Sequence, residues 1–257
     1  MSGESEHFID RLKVFWKVIR ELEVKTDNEI SEFDTMLAPI RRYRWKLGNA
    51  LRLWRHSSPL VPMMEALPHL HFPEGFLLDY YQEGNTTGSV PALYVRKPKE
   101  PRLPNNPKEC LGDSMPKVTY FYEAVRPEHT PDGAWELVLL VELGYQFNLA
   151  WHAGTDIIFP LYNMKDFFSR KYMGEENVYL WDFNADKLSG EEREELLSWD
   201  ISPKVTLEED GALVDYCIFS PWHGFSKIQR RVQFKPKISL SKRVITKEVY
   251  YSCRIVF

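Results

Sequence analysis

The chain has 257 residues, of which 44% are hydrophobic and 27% charged, and its formal net charge at pH 7 is −4. This length and composition are typical of a folded protein whose core needs no disulfide or metal staple. The three cysteines form no CxxC pair and are odd in number, so buried, reduced thiols are expected. The first residues resemble no signal peptide, and no apolar run approaches the roughly 20 residues that cross a bilayer, so a cytoplasmic protein is expected.

Up to about Trp54 the apolar residues recur every three or four positions, which predicts helices. The first helix carries an apolar stripe of Phe8, Leu12, Phe15, Ile19 and Leu22. Asp27 is the expected N-cap of a second helix, and Pro39 either kinks that helix or starts a third. A further helix is expected near residues 189–199, because Ser189 and Glu192 have the spacing of a capping box.

From about Phe76 onward, short segments rich in aromatic and branched residues predict strands. The predicted strands are Phe76–Tyr81, Val90–Arg96, Lys117–Val125, Trp135–Leu143, Tyr145–His152, Asp156–Phe159, Val178–Phe183, Lys204–Leu207, Ala212–Phe219, Ile228–Phe234 and Lys247–Phe257. Turns are expected at Pro131-Asp132-Gly133, at Gly144 and at Asp210-Gly211. Such short connections favour antiparallel neighbours.

The predicted fold class is therefore α+β, with an N-terminal helical segment packed on a large, mainly antiparallel sheet that is curled or two-layered. Residues 1–68 form the helical segment and residues 69–257 the β-rich domain. Residues 97–117 contain five prolines and predict a long exposed loop.

The charge is unevenly distributed along the chain. The stretch 36–60 contains six basic residues and no acidic one, and a helical projection places most of them opposite the apolar stripe. The basic surface predicted from this projection consists of Arg41, Arg42, Trp45, Lys46 and Arg52. Such a face could bind phosphates and stack a base, but the acidic net charge argues against nucleic acid and favours a solvated helix face.

A second charge contrast lies in the C-terminal half. Residues 173–215 are predominantly acidic, whereas the tail after His223 is basic, with Glu248 as its one acidic residue. These two segments are expected either to pair within the chain or to drive self-association, and the sequence leaves both open.

Two sets of histidines could carry chemistry. His69 and His71 lie on one face of an extended segment, a geometry that suits a metal ion, with Glu74 as the nearest candidate for a third ligand. The alternative is a pair of ordinary loop histidines before a strand.

The second set follows predicted strand ends, where side chains project from a rigid scaffold. Its members are Trp151, His152, Asp156, Asp182, Trp222 and His223. If these side chains converge, His152, Asp156, Asp182 and His223 could bind a divalent metal or act as an acid/base set in a tryptophan-lined pocket. The alternative is that the tryptophans belong to the core and their polar neighbours complete turns.

Three functions follow from these observations. The leading hypothesis is a non-enzymatic protein that needs no cofactor and binds another protein or a small ligand through the strand-end loops, with a homo-oligomer left open. The second is a metal-dependent hydrolase that uses the His/Asp set. The third is a nucleic-acid-binding protein that uses the basic face of residues 40–55.

Overall fold

The computed structural model describes residues 3–37, 60–85, 88–99, 119–120, 124–147, 150–151, 158–169, 185–221, 223–235 and 237–251. Within them lie the α-helices α1 (Gly3–Leu37), α2 (Val61–Glu65), α3 (Pro131–Leu143), α4 (Met164–Phe168) and α5 (Gly190–Leu197). In these ranges no helix combines the length and the apolarity that crossing a bilayer requires.

Twelve strands lie in the same residues. They are β1 (Leu70–His71), β2 (Leu77–Asn85), β3 (Gly88–Arg96), β4 (Thr119–Tyr120), β5 (Arg126–Pro127), β6 (Ala150–Trp151), β7 (Phe159–Leu161), β8 (Lys204–Leu207), β9 (Gly211–Ser220), β10 (Gly224–Gln233), β11 (Ser239–Leu240) and β12 (Val244–Val249). All their pairings are antiparallel. A few helices with a large antiparallel sheet confirm the predicted α+β class.

The largest sheet has six strands and is built on the β9–β10 hairpin. β7 and β8 pair with β9 along one edge, and β11 and β12 pair with β10 along the other. A second sheet is built on the β2–β3 hairpin, with β4 and β6 on β3, and β1 with β5 forms a separate ribbon.

The chain folds into two compact units. The first unit comprises Met1–Lys13, His129–Val138 and Thr155–Phe257, and so contains the six-stranded sheet. The second comprises Val14–Glu128 and Leu139–Gly154, and contains the β2–β3 sheet and the β1–β5 ribbon.

The core of the first unit contains an aromatic row that crosses the six-stranded sheet. Phe159, Phe219, Phe225 and Val249 are successive partners in the register of β7, β9, β10 and β12. Phe167 of α4 packs on this row, with its ring centroid 5.0 Å from that of Phe219. Aromatic rings at such separations add to area burial, so this end of the sheet is firmly held.

The predicted strand Trp135–Leu143 is wrong, because this segment lies within α3. The Thr-Pro-Asp-Gly sequence, whose last three residues predict a turn, is the beginning of the helix. The Thr130 hydroxyl oxygen accepts a hydrogen bond from Gly133 N (3.1 Å), and Pro131 is the first helical residue. Apolar residues on both alternating faces indicate a helix buried on nearly all sides as readily as a strand covered on both faces.

The predicted helix boundary at Asp27 is also wrong, because α1 continues through it to Leu37. No glycine or proline interrupts the sequence between Gly3 and Leu37, and one aspartate costs a helix less than about 1 kcal/mol. The apolar stripe of the first helix is confirmed, since Phe8, Leu12, Phe15, Ile19 and Leu22 are all buried.

Several strand predictions are confirmed, and others shift. β8 has the predicted bounds, and β3 and β9 match their predicted segments within about two residues at each end. β2 ends four residues later than predicted, and β10 begins four residues earlier. Residues 144–147 form turns rather than the predicted strand, β7 begins at Phe159 rather than near Asp156, and β12 ends at Val249. The predicted helix over residues 40–54, the strand Val178–Phe183 and residues 100–117 of the proline-rich segment lie outside the described residues.

Candidate interaction surface

The strand-end set is only partly described. His152, Asp156, Asp182 and Trp222 lie outside the described residues, as do Arg41, Arg42, Trp45, Lys46 and Arg52 of the predicted basic surface. Trp151 ends β6, where its register partner is Gly88 of β3. The convergence of the His/Asp set therefore stays a prediction.

His223 lies where the sequence places it, in the short loop of the β9–β10 hairpin. Its side chain is exposed, and its backbone N–H donates to Ser220 O (3.2 Å). Gly224 follows with a φ of 84°, a left-handed conformation that glycine adopts without strain. The loop is thus a turn that presents His223 to solvent.

The described residues offer no assembled metal site. Among them, no group of three or more His, Cys, Asp or Glu side chains is placed to hold a metal ion. His69 and His71 instead share Glu128, which is not the Glu74 that the sequence suggested. His69 Nδ1 lies 2.8 Å from Glu128 Oε2, and His71 Nε2 lies 3.0 Å from Oε1.

The two oppositely charged segments are joined by ion pairs within the chain. Lys247 Nζ lies 2.8 Å from Glu195 Oε1, and Arg231 Nη2 lies 2.8 Å from Glu208 Oε2. The hydrogen bond from Lys247 is the main cause that holds the pKa of Glu195 below its usual value. The intramolecular alternative is therefore realised at two positions.

The second half of β12 contacts a tryptophan. Lys227 of β10 and Lys247 of β12 are partners in the strand register, and their Nζ atoms lie 5.1 Å and 5.3 Å from the centroid of the Trp199 ring. Like charges directly opposite one another destabilise a sheet, but the Trp199 ring lies beside both cations and Glu195 pairs with Lys247. This end of the strand is consequently fixed to the protein.

The beginning of β12 exposes two apolar side chains. Val244 and Ile245 are each 54% exposed, and every residue from Val244 to Glu248 is exposed. Surface apolar residues are common singly, but two adjacent ones on a strand are a candidate contact. In the described part of the chain, β12 pairs with β10 along one side only.

A β-bulge separates these two halves of β12. The register passes from Lys227↔Lys247 to Ile228↔Ile245, so Thr246 is the extra residue, and its hydroxyl donates to Lys227 O (3.3 Å). Bulges bend an edge strand and limit pairing along it. Val244 and Ile245 precede the bulge, and within the described ranges no second strand pairs with their other side. We call these two residues, together with Lys242 and Arg243 before them, the β12 edge.

The β12 edge lies in a basic surrounding. From Lys237 to Glu248 the sequence has four basic residues and one acidic residue. The sequence reveals this charge bias, but it does not reveal that the bias falls on the edge of the main sheet, because the pairing of β12 with β10 is set by register rather than by composition.

No protein-family model matches the chain, and neither the curated proteins nor the solved structures yield a significant match.

Proposed function

We propose that the chain is a non-catalytic protein-binding protein whose β12 edge takes up an acidic, extended segment of a partner as an additional strand. The observation that carries the proposal is the pair of half-exposed apolar residues Val244 and Ile245 at the edge of the six-stranded sheet. An unpaired strand edge is a template for another chain, since its main-chain groups supply affinity and alternate side chains supply specificity.

The partner segment is proposed to be acidic because the β12 edge contains basic residues. Lys242 and Arg243 precede Val244, and acidic residues of an incoming strand would lie near them. A second copy of the same edge is disfavoured, because antiparallel self-pairing would bring these like charges together. The bulge at Thr246 limits the paired length, so a short and transient contact is expected.

The strand-end loops are a second, separate region that we propose for binding. His223 is exposed in the β9–β10 loop of the first unit, as a recognition loop requires. The participation of Trp151, His152 and Trp222 in binding is part of this proposal.

The experiment uses a labelled eight-residue peptide of alternating glutamate and valine as the probe. We expect saturable binding with NMR shift changes concentrated on the amides of the β12 edge. Lys242→Glu should weaken binding by roughly 10-fold through lost attraction and added repulsion. Lys165→Glu, which makes the same charge change at an exposed position on α4, should leave the affinity unchanged.

Equal weakening by Lys242→Glu and Lys165→Glu would reduce the effect to net charge and overturn the proposal. Absence of binding at millimolar peptide would do the same. A shift of β12-edge amides with protein concentration alone would replace the acidic partner by a second copy of the chain.

A further inference from the structure

The β1–β5 ribbon of the second unit is unusually short for a β-structure. Its register has two pairs, Leu70↔Pro127 and His71↔Arg126, and Pro127 has no N–H to donate. The ribbon is extended by one hydrogen bond from Glu128 N to His69 O (3.0 Å). So few main-chain bonds do not stabilise a ribbon alone, and its side chains must contribute.

Three of those side chains meet on one face of the ribbon. Glu128 lies directly across from His69, and His71 is two residues further along the same strand and therefore on the same face. Each Glu128 oxygen accepts from a different imidazole, at 2.8 Å and 3.0 Å. The side chains of His69, His71 and Glu128 are 27%, 56% and 40% exposed, so all three exchange protons with solvent.

The neighbouring charged groups leave this arrangement intact. Arg126 lies across from His71, but its guanidinium donates to the carbonyls of Ala124 and Val125, at 3.1 Å and 3.0 Å. Glu74, three residues after His71, is exposed. His129 follows Glu128, and its ring contacts Phe234 at a centroid distance of 4.5 Å.

We propose that His69, Glu128 and His71 form a proton-strengthened clamp that closes the β1–β5 ribbon more firmly at mildly acidic pH than at alkaline pH. When the imidazoles are neutral, the two N–H groups donate to a charged acceptor. When an imidazole is protonated, donor and acceptor are both charged, and such hydrogen bonds are shorter and stronger.

The pH window follows from the two residue types. Histidine is the residue type whose charge changes in the near-neutral range, so the upper limit of the window lies between the mildly acidic and the alkaline solutions that the proposal compares. The hydrogen bonds from His69 and then His71 hold the pKa of Glu128 below its ordinary value of 4.5. A carboxyl group with a lowered pKa stabilises the folded state above its unfolded value and loses that contribution as the pH falls through the lowered one. The clamp is therefore firmest between these two limits.

Hydrogen exchange of the Glu128 amide measures closure directly, because this N–H donates across the ribbon. After correction for the intrinsic exchange rate, protection in the full-length protein should rise roughly 2- to 5-fold between about pH 8 and pH 6, the range of an exposed ion pair. Glu128→Gln should abolish the rise, and His71→Asn should reduce it. Glu74→Gln, the matched change at an exposed glutamate, should retain it.

Far-ultraviolet circular dichroism confirms that each variant is folded. Flat protection in the wild type, or an equal rise in Glu128→Gln, would overturn the clamp. Because the peptide probe is bound at the β12 edge, failure of this experiment leaves the protein-binding proposal untouched.

Discussion

Arg96 Nε donates to Asp79 Oδ2 at 2.7 Å, and both side chains are almost fully buried, at 3% and 0% exposure. Asp79 lies on β2 opposite Tyr94 of β3, which places Arg96 diagonally across the hairpin on the same face. Asp79 Oδ1 also accepts from Tyr80 N, and Arg96 Nη1 donates to the carbonyls of Lys97 and Pro98. Each member of the pair therefore has further hydrogen bonds besides the ion pair, as buried charges require.

Removal of one partner should be strongly destabilising. Arg96→Met leaves the Asp79 carboxylate buried without its cation, and we expect a loss of about 3–5 kcal/mol in the free energy of unfolding. The double variant Asp79→Leu/Arg96→Met should recover much of this loss, because it leaves no uncompensated charge. Urea denaturation measures both.

The matched control is Lys17→Met, since Lys17 and Glu21 form an exposed pair on α1 at 3.9 Å. Its cost should stay below about 0.5 kcal/mol. Equal effects of Arg96→Met and Lys17→Met would contradict the assignment of a buried pair.

Alanine variants of Gly224 and Gly75 allow the cost of backbone strain to be distinguished from the cost of steric overlap. Both have positive φ, 84° and 78°, but a Cβ at Gly224 would lie 2.4 Å from Val249 O and 2.5 Å from Tyr251 N, whereas none of the heavy atoms around Gly75 lies within 4 Å. Gly75→Ala should cost about 1–2 kcal/mol from conformation alone. Gly224→Ala should cost roughly 2–5 kcal/mol, because the overlap adds to the strain.

Thermal unfolding ranks these variants. Gly190→Ala is the control, because Gly190 begins α5 without a positive φ and has open space around it. This change should be neutral or stabilise by up to about 1 kcal/mol. If Gly224→Ala costs no more than Gly75→Ala, the close packing of β10 against the end of β12 is not realised in solution.

Elements specified by local signals are predictable from the sequence. β8 and β9 are joined by a turn at Asp210-Gly211 between two segments rich in branched and aromatic residues, and the sequence predicts both strands. The spacing of Ser189 and Glu192 predicts the α5 capping box, and both of its hydrogen bonds are present. In each case the predictive signal comes from residues that lie within three or four positions of one another in the sequence.

Prediction fails where the local pattern admits two structures. Buried apolar residues throughout α3 fit a strand or a helix, and the decisive contacts are distant in sequence. Trp135 Nε1 donates to Phe8 O (3.0 Å), and the Trp135 ring lies 6.1 Å from that of Tyr216. Likewise, the partner of His69 lies 59 residues away in the chain, so no local spacing could identify Glu128.

The capping box of α5 gives a further prediction. Ser189→Ala removes the acceptor for Glu192 N and should cost about 1 kcal/mol. Ser198→Ala at the other end of α5 is the control, because the exposed Ser198 hydroxyl donates to Glu195 O and caps no N-terminal group. It should change stability by less than about 0.5 kcal/mol. Chemical denaturation compares the two, and equal losses would show that the cap does not stabilise α5.

Cys217 lies on β9 with 3% of its surface exposed, and burial raises the pKa of its thiol to about 12 from an ordinary value of 9.0. Since the thiolate is the reactive form, a disulfide reagent should label native Cys217 roughly 1,000-fold more slowly than a free thiol at neutral pH. The double variant Cys110→Ser/Cys253→Ser leaves Cys217 as the sole thiol for this measurement.

The same shift predicts a pH dependence of stability. The Cys217 thiol stays neutral in the folded state, whereas in the unfolded chain it ionises above pH 9.0. Its burial therefore contributes fully to the free energy of unfolding below pH 9.0, and this contribution is lost as the pH rises toward about 12. Cys217→Ala should therefore show a shallower loss of stability over this range than its parent, whatever its stability at neutral pH. Parallel curves for the two proteins, or rapid labelling of the native thiol, would mean that β9 opens far more often than its buried position implies.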